Sequence, residues 1–170
     1  MFKRIILFLA LVFGGALLAA VVAHSAHHDI VAFRGFEPGT IVVKTGERRL
    51  YYVIEGERAL RFAVGVGRKG KTWSGKAAIE GKYLKPSWSP PKEIRREQPN
   101  LPTLIAGGAP DNPMGAAALT LRGGEYAIHG TNDPSSIGGF VSYGCIRMHN
   151  RDIRKLYELV DVGTPVVVVR

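Results

Sequence analysis

The sequence holds one cysteine, Cys145, in 170 residues. No disulfide can therefore staple the chain internally, and its stability must come from a packed core. Aromatic residues are sparse at 9%, and the basic residues are scattered rather than interleaved with them, so nucleic acid is not expected as a partner. No set of Cys, His and carboxylate residues stands at metal-ligand spacing. His24, His27 and His28 come nearest, and beyond Asp29 they have no further donor, so a metal is not expected there. There is no internal repeat, and the length suits one domain with one core.

Glycine and proline are plentiful by contrast, at 21 and 10 residues, which favours a turn-rich, mostly β fold over a helical bundle. Lys and Arg exceed Asp and Glu by 23 to 14. A basic surface of this kind suits an anionic partner such as an acidic cell-wall polymer or anionic lipid.

The long apolar run is confined to the start. Lys3 and Arg4 precede residues 5–23, which carry no charge and end in Val21-Val22-Ala23. This is the pattern of a signal peptide cleaved after Ala23, or of an uncleaved N-terminal membrane anchor. In either case the positive residues stay inside and the rest of the chain is exported to the periplasm or cell envelope. Residues 24–39 read as a polar, flexible segment, and residues 40–170 as the folded domain.

Within that domain short strands alternate with turns. Thr40–Val43, Leu50–Ile54 and Ala59–Val66 open it as an antiparallel meander, and Lys76–Ile79 adds a strand. The stretch Lys85-Pro86-Ser87-Trp88-Ser89-Pro90-Pro91 cannot be a central strand, because its prolines donate no ladder hydrogen bonds. Trp88 there either packs under the prolines or lines a peptide groove. Residues 92–98 suit one or two helical turns, and residues 107–115 form a long irregular connection. Ala117–Leu121 and Tyr126–His129 are strands, placing His129 at a strand end. Asn150 then caps an amphipathic helix in which Ile153, Leu156, Tyr157 and Val160 share one face, and residues 166–169 are the last strand.

The chemistry concentrates in His129-Gly130-Thr131 and in Ser142-Tyr143-Gly144-Cys145-Ile146-Arg147-Met148-His149-Asn150. An unpaired thiol in an oxidising compartment points to reactivity, and a thiol becomes a nucleophile with a base beside it. His129 is such a base, with an ordinary pKa near working pH. Gly144 lets the backbone approach a substrate and leaves its amides to face a developing oxyanion. Ser142 and Tyr143 add hydroxyls, and Arg147 suits a carboxylate. Together these support acyl transfer through a thioester, with an amide or peptide as substrate.

These two motifs, with Trp88-x-Pro90-Pro91, Asn112-Pro113-Met114-Gly115 and Gly163-Thr164-Pro165-Val166, resemble the L,D-transpeptidase catalytic domain family of the YkuD type. The resemblance implies a mostly β, sandwich-like fold with one C-terminal helix before the last strand, and no metal or cofactor. It implies Cys145 as nucleophile, His129 as base, the Gly130 carbonyl as the group orienting the imidazole, and an oxyanion hole among the amides of residues 143–145. It also implies peptidoglycan stem peptides as substrates, cut before the terminal D-Ala, and an amine or water as acyl acceptor; an envelope protein is one source of that amine. One departure is plain: many members carry a second histidine where this chain has Tyr143.

Rival readings differ in residue order or class. Papain-like amidases place cysteine before histidine, and sortase-type enzymes need an arginine on a later strand than Arg147 allows. A peptidoglycan L,D-carboxypeptidase or hydrolase, or a non-catalytic peptidoglycan-binding envelope protein on the same scaffold, remains as the alternative.

Overall fold

The computed structural model describes residues 29–123 and 126–170. The apolar run of residues 5–23 and the histidines at 24, 27 and 28 lie outside them. Ten strands form one continuous sheet: β1 (Asp29–Ala32), β2 (Ile41–Lys44), β3 (Arg49–Ile54), β4 (Arg58–Gly67), β5 (Gly75–Leu84), β6 (Ala117–Leu121), β7 (Ala127–His129), β8 (Phe140–Ser142), β9 (Ile146–Met148) and β10 (Pro165–Val169). Among the described residues two α-helices accompany it, α1 (Lys92–Glu97) and α2 (Asn150–Leu159).

The sheet runs β4-β3-β2-β10-β5-β6-β7-β9, and β9 then pairs back onto β4 through Val64↔Met148 and Gly65↔Arg147. The mostly β expectation holds, but the layers of the expected sandwich are one closed barrel. The length of β4 explains the difference. Its first half pairs with β3 and β1, while its second half reaches past them to β9 and β8. Closure removes the open edges that a sandwich would leave.

The opening meander β2-β3-β4 is antiparallel as its turns require. The last strand, β10, is inserted beside β2 in parallel and beside β5 in antiparallel orientation. Alternation along these strands separates two apolar layers. Ile41, Val43, Leu50, Phe62, Val64, Val166 and Val168 point inward to the main core, which α2 closes with Ile153, Leu156 and Val160. Val42, Tyr51, Val53 and Ala59 point outward.

That outer layer orders the chain before the barrel. Phe33 stacks on Tyr51 at 4.4 Å between ring centroids and on Phe36 at 5.6 Å, with Lys44 Nζ 5.5 Å from both the Phe33 and Tyr51 centroids. The segment read as flexible over residues 24–39 is therefore structured from Asp29 onward. β1 adds to β4 with Arg61 paired to Asp29 at 2.6 Å. Its polarity in sequence hid two phenylalanines that cover an otherwise exposed apolar face.

Phe62→Ala, at the centre of the main core, is expected to lower global stability by about 3–5 kcal/mol. Phe33→Ala should cost roughly half as much and selectively speed amide hydrogen exchange in β1, because only the outer layer loses its cover.

Candidate active site

The short strands β7 and β9 lie parallel, with Ile128 opposite Ile146 and His129 opposite Arg147. Ile128 and Ile146 are buried in the main core. Neighbours along a strand face opposite ways, so His129, Cys145 and Arg147 turn to the other side of the sheet. All three line one cavity of about 570 Å³, together with Trp88, Met114 and Tyr143. The pairing of a thiol and an imidazole sixteen residues apart is thus made by one strand ladder.

His129 is 4% exposed, and its Nδ1 lies 2.6 Å from the Gly130 carbonyl oxygen. A carbonyl only accepts, so Nδ1 carries the proton and Nε2 keeps the lone pair needed by a base. Burial, reinforced by the positive charge of Arg147, lowers the His129 pKa to about 4, against the pull of the Gly130 and Pro113 carbonyls. The imidazole is neutral at physiological pH.

Burial also pushes the Cys145 thiol above its ordinary range, opposed by a hydrogen bond from the Ala127 backbone and by Arg147. The resting pair is therefore a neutral thiol beside a neutral imidazole, with no ion pair between them. Arg147 acts on the two in opposite senses, favouring thiolate and disfavouring imidazolium. Its Nε is buried with no hydrogen-bond partner.

The turn before the nucleophile is fixed by Ser142. Its hydroxyl donates to the Cys145 carbonyl at 2.6 Å and accepts from the Gly144 amide at 3.1 Å. The Gly144 N–H, expected to face an oxyanion, is thus bound to Ser142 instead. Ser142 is an organiser of the turn and is itself buried.

Tyr143 turns onto α1. Its hydroxyl donates to Glu97, whose other oxygen receives Arg68 Nη2 at 2.7 Å, and the Arg68 guanidinium lies 4.0 Å from the Tyr143 ring centroid. Arg68 first, and Tyr143 second, hold the Glu97 carboxyl below the usual carboxylate range. Lys71 binds Glu93 on the same helix. Glu93 and Ile94 line the cavity, so Tyr143 helps to set one wall of the site.

Asn150 is not the helix cap. The N-cap of α2 is His149, without a side-chain bond. The Asn150 amide instead reaches back, with Oδ1 accepting from Ala116 N at 2.9 Å and Thr131 N at 3.1 Å, and Nδ2 donating to Thr131 O at 2.9 Å. A Cβ on Gly130 would stand 2.2 Å from this Oδ1. The side chain thereby holds the strand end carrying His129 and Gly130. Asn112 does the same for the long connection, donating to Pro86 O and Ala106 O and accepting from Met114 N, each at 2.9 Å. Trp88 bridges to Ile105 and lines the cavity.

Among the described residues no three His, Cys, Asp or Glu side chains converge as a metal site would require.

A closed β-barrel presenting a half-buried thiol and a backbone-anchored histidine in one cavity defines a cysteine–histidine barrel domain. The chain belongs to the L,D-transpeptidase catalytic domain family, whose model it matches over residues 38–168. It is 42% identical over 136 residues to the probable L,D-transpeptidase YbiS of Escherichia coli, covering 74% of this chain and 43% of that protein. It is 41% identical over 138 residues to the probable L,D-transpeptidase ErfK/SrfK of Salmonella typhimurium, covering 76% and 43%. The chain thus spans less than half the length of these curated relatives. Among solved structures, L,D-transpeptidase 3 of Mycobacterium tuberculosis in complex with a faropenem-derived adduct aligns with a TM-score of 0.60 at 16% identity, over 77% of this chain and 60% of that one. The Enterococcus faecium L,D-transpeptidase gives 0.62 at 18%, over 79% and 50%. At such identities the structural likeness speaks for the fold.

Two outcomes are expected. The unfolded chain's imidazole takes a proton near the ordinary value of 6.5, whereas folded His129 resists until about 4. Between these values the unfolded state binds more protons, so stability falls as pH falls, by on the order of 3 kcal/mol from this residue. Urea unfolding across that window should show the slope, and His129→Gln should flatten it. Asn150→Ala should cost about 2–4 kcal/mol, because three backbone groups lose their partner, and should lower turnover by displacing Gly130.

Proposed function

We propose that this chain is an exported L,D-transpeptidase that acts on peptidoglycan stem peptides through a Cys145 thioester. The observation that carries the reading is the His129 Nδ1–Gly130 carbonyl bond beside Cys145 in one cavity, since it leaves Nε2 to take the thiol proton. Family membership supports the substrate class, and the charged start followed by the apolar run of residues 5–23 supports export.

In the first half-reaction the Cys145 sulfur attacks the carbonyl linking the third, diamino-acid residue to the terminal D-Ala, while its proton passes to Nε2. Charge gathers on the carbonyl oxygen, facing the amides of Tyr143 and Cys145. Collapse breaks the C–N bond, the departing D-Ala nitrogen takes the proton from His129, and the thioester remains. A primary amine then attacks the thioester, gives its proton to Nε2, and forms the new amide as the thiol is restored. The amine belongs to a second stem peptide or to a lysine of an envelope protein. Arg147, with its unpartnered Nε at the cavity wall, receives a substrate carboxylate.

Incubation of the domain with defined muropeptides, read by mass spectrometry, tests this. Free D-Ala with a new cross-linked dimer is expected. D-Ala without a dimer would make the chain an L,D-carboxypeptidase, and no change would make it a binding protein. Cys145→Ala should abolish both products, a loss of at least about 10⁴-fold, and His129→Ala should cost about 10²–10⁴-fold.

A further inference from the structure

Trp73 lies in the β4–β5 connection, 72 positions before the nucleophile, and nothing in the local sequence marks it. Its indole Nε1 donates to the Gly144 carbonyl at 2.9 Å, and its ring stacks on Tyr126 at 5.0 Å between centroids, with 9° between the planes. Tyr126 in turn fills the space beside Gly144, where a Cβ would stand 2.2 Å from its Cε1. Gly144 has φ +126, a conformation that side-chain-bearing residues rarely adopt. The Trp73–Tyr126 pair therefore braces the turn from one side, and Ser142 braces it from the other.

We infer that Trp73 is a positioning residue that aims the Cys145 amide at the reacting carbonyl oxygen. The peptide bond between Gly144 and Cys145 is planar and trans, so its C=O and N–H point in opposite directions. Fixing the Gly144 carbonyl on the indole N–H fixes the heading of the Cys145 N–H. Of the amides in this turn, Gly144 N–H is held by Ser142, so the Cys145 amide is the donor adjoining the nucleophile that the indole can orient. Without the indole bond this peptide plane can rotate about the Gly144 Cα–C and Cys145 N–Cα bonds that flank it, and Gly144 has no side chain to resist the turn. The donor's alignment, not its presence, is then lost. The inference rests on the thioester mechanism proposed above.

The test compares two reactions of the same thiol. Release of D-Ala from a muropeptide passes through an oxyanion, whereas alkylation of Cys145 by iodoacetamide displaces iodide at a saturated carbon and forms none. Trp73→Phe keeps the stack and removes the N–H. It should lower kcat for D-Ala release by about 10-fold or more with KM within about twofold, while the alkylation rate and its pH profile stay at the wild-type values. Replacing Trp73 by benzothienylalanine, which keeps the indole shape without the N–H, should reproduce the loss in a fold that cannot have been disturbed by size. Wild-type kcat in either variant overturns the clamp. Parallel losses in alkylation and D-Ala release also overturn it, because they place the effect on the thiol. A wild-type domain that releases no D-Ala overturns the underlying mechanism and the clamp with it.

Discussion

The site depends on one parallel ladder between two three-residue strands, β7 and β9. Ile128 and Ile146 anchor it in the core, and because side chains alternate along strands, their burial turns His129, Cys145 and Arg147 to the cavity. Neither strand would hold alone. β9 is also paired to β4, which closes the barrel, so the same contact that completes the fold brings Cys145 and His129 to one cavity. Asn150 extends the coupling, since the first residue of α2 ties together the strand end after His129 and the loop before β6.

Burial then decides the electrostatics. It raises the thiol and lowers the imidazole, and the Arg147 charge opposes the first shift and adds to the second. A buried ion pair would carry a desolvation cost on both members. The neutral pair avoids that cost at rest, and in the proposed mechanism the proton transfer becomes part of the attack. In the proposed mechanism the Gly130 carbonyl takes the place that a carboxylate holds in other triads: it fixes the ring and its tautomer without adding a full negative charge.

Much of this was legible in the sequence because it is local. The meander β2-β3-β4 follows from alternation and turns, α2 from its i, i+3, i+4, i+7 spacing, and Cys145 and His129 from residue type and motif. Barrel closure was not legible, because it rests on β4 reaching strands some eighty residues away and on β8 and β9, which are too short to show a period. Asn150 misled for a physical reason: a polar residue ahead of an apolar helical run satisfies the capping pattern, yet its amide is spent on Ala116 and Thr131. Phe33 and Phe36 sit among charged and glycine neighbours, so their shared outer face appears only once Tyr51 and Val42 are in place. Trp73 and Glu97 act across distant contacts, for which one sequence carries no local signal.

If His129 is the base of the proposed mechanism, it works as a neutral, Nδ1-protonated imidazole held by the Gly130 carbonyl. Nitrogen-15 NMR of the His129 ring across a pH titration tests it most directly. One protonated nitrogen is expected at neutral pH, assigned to Nδ1, with a midpoint near 4. A ring protonated on both nitrogens at neutral pH, or the opposite tautomer, would contradict it.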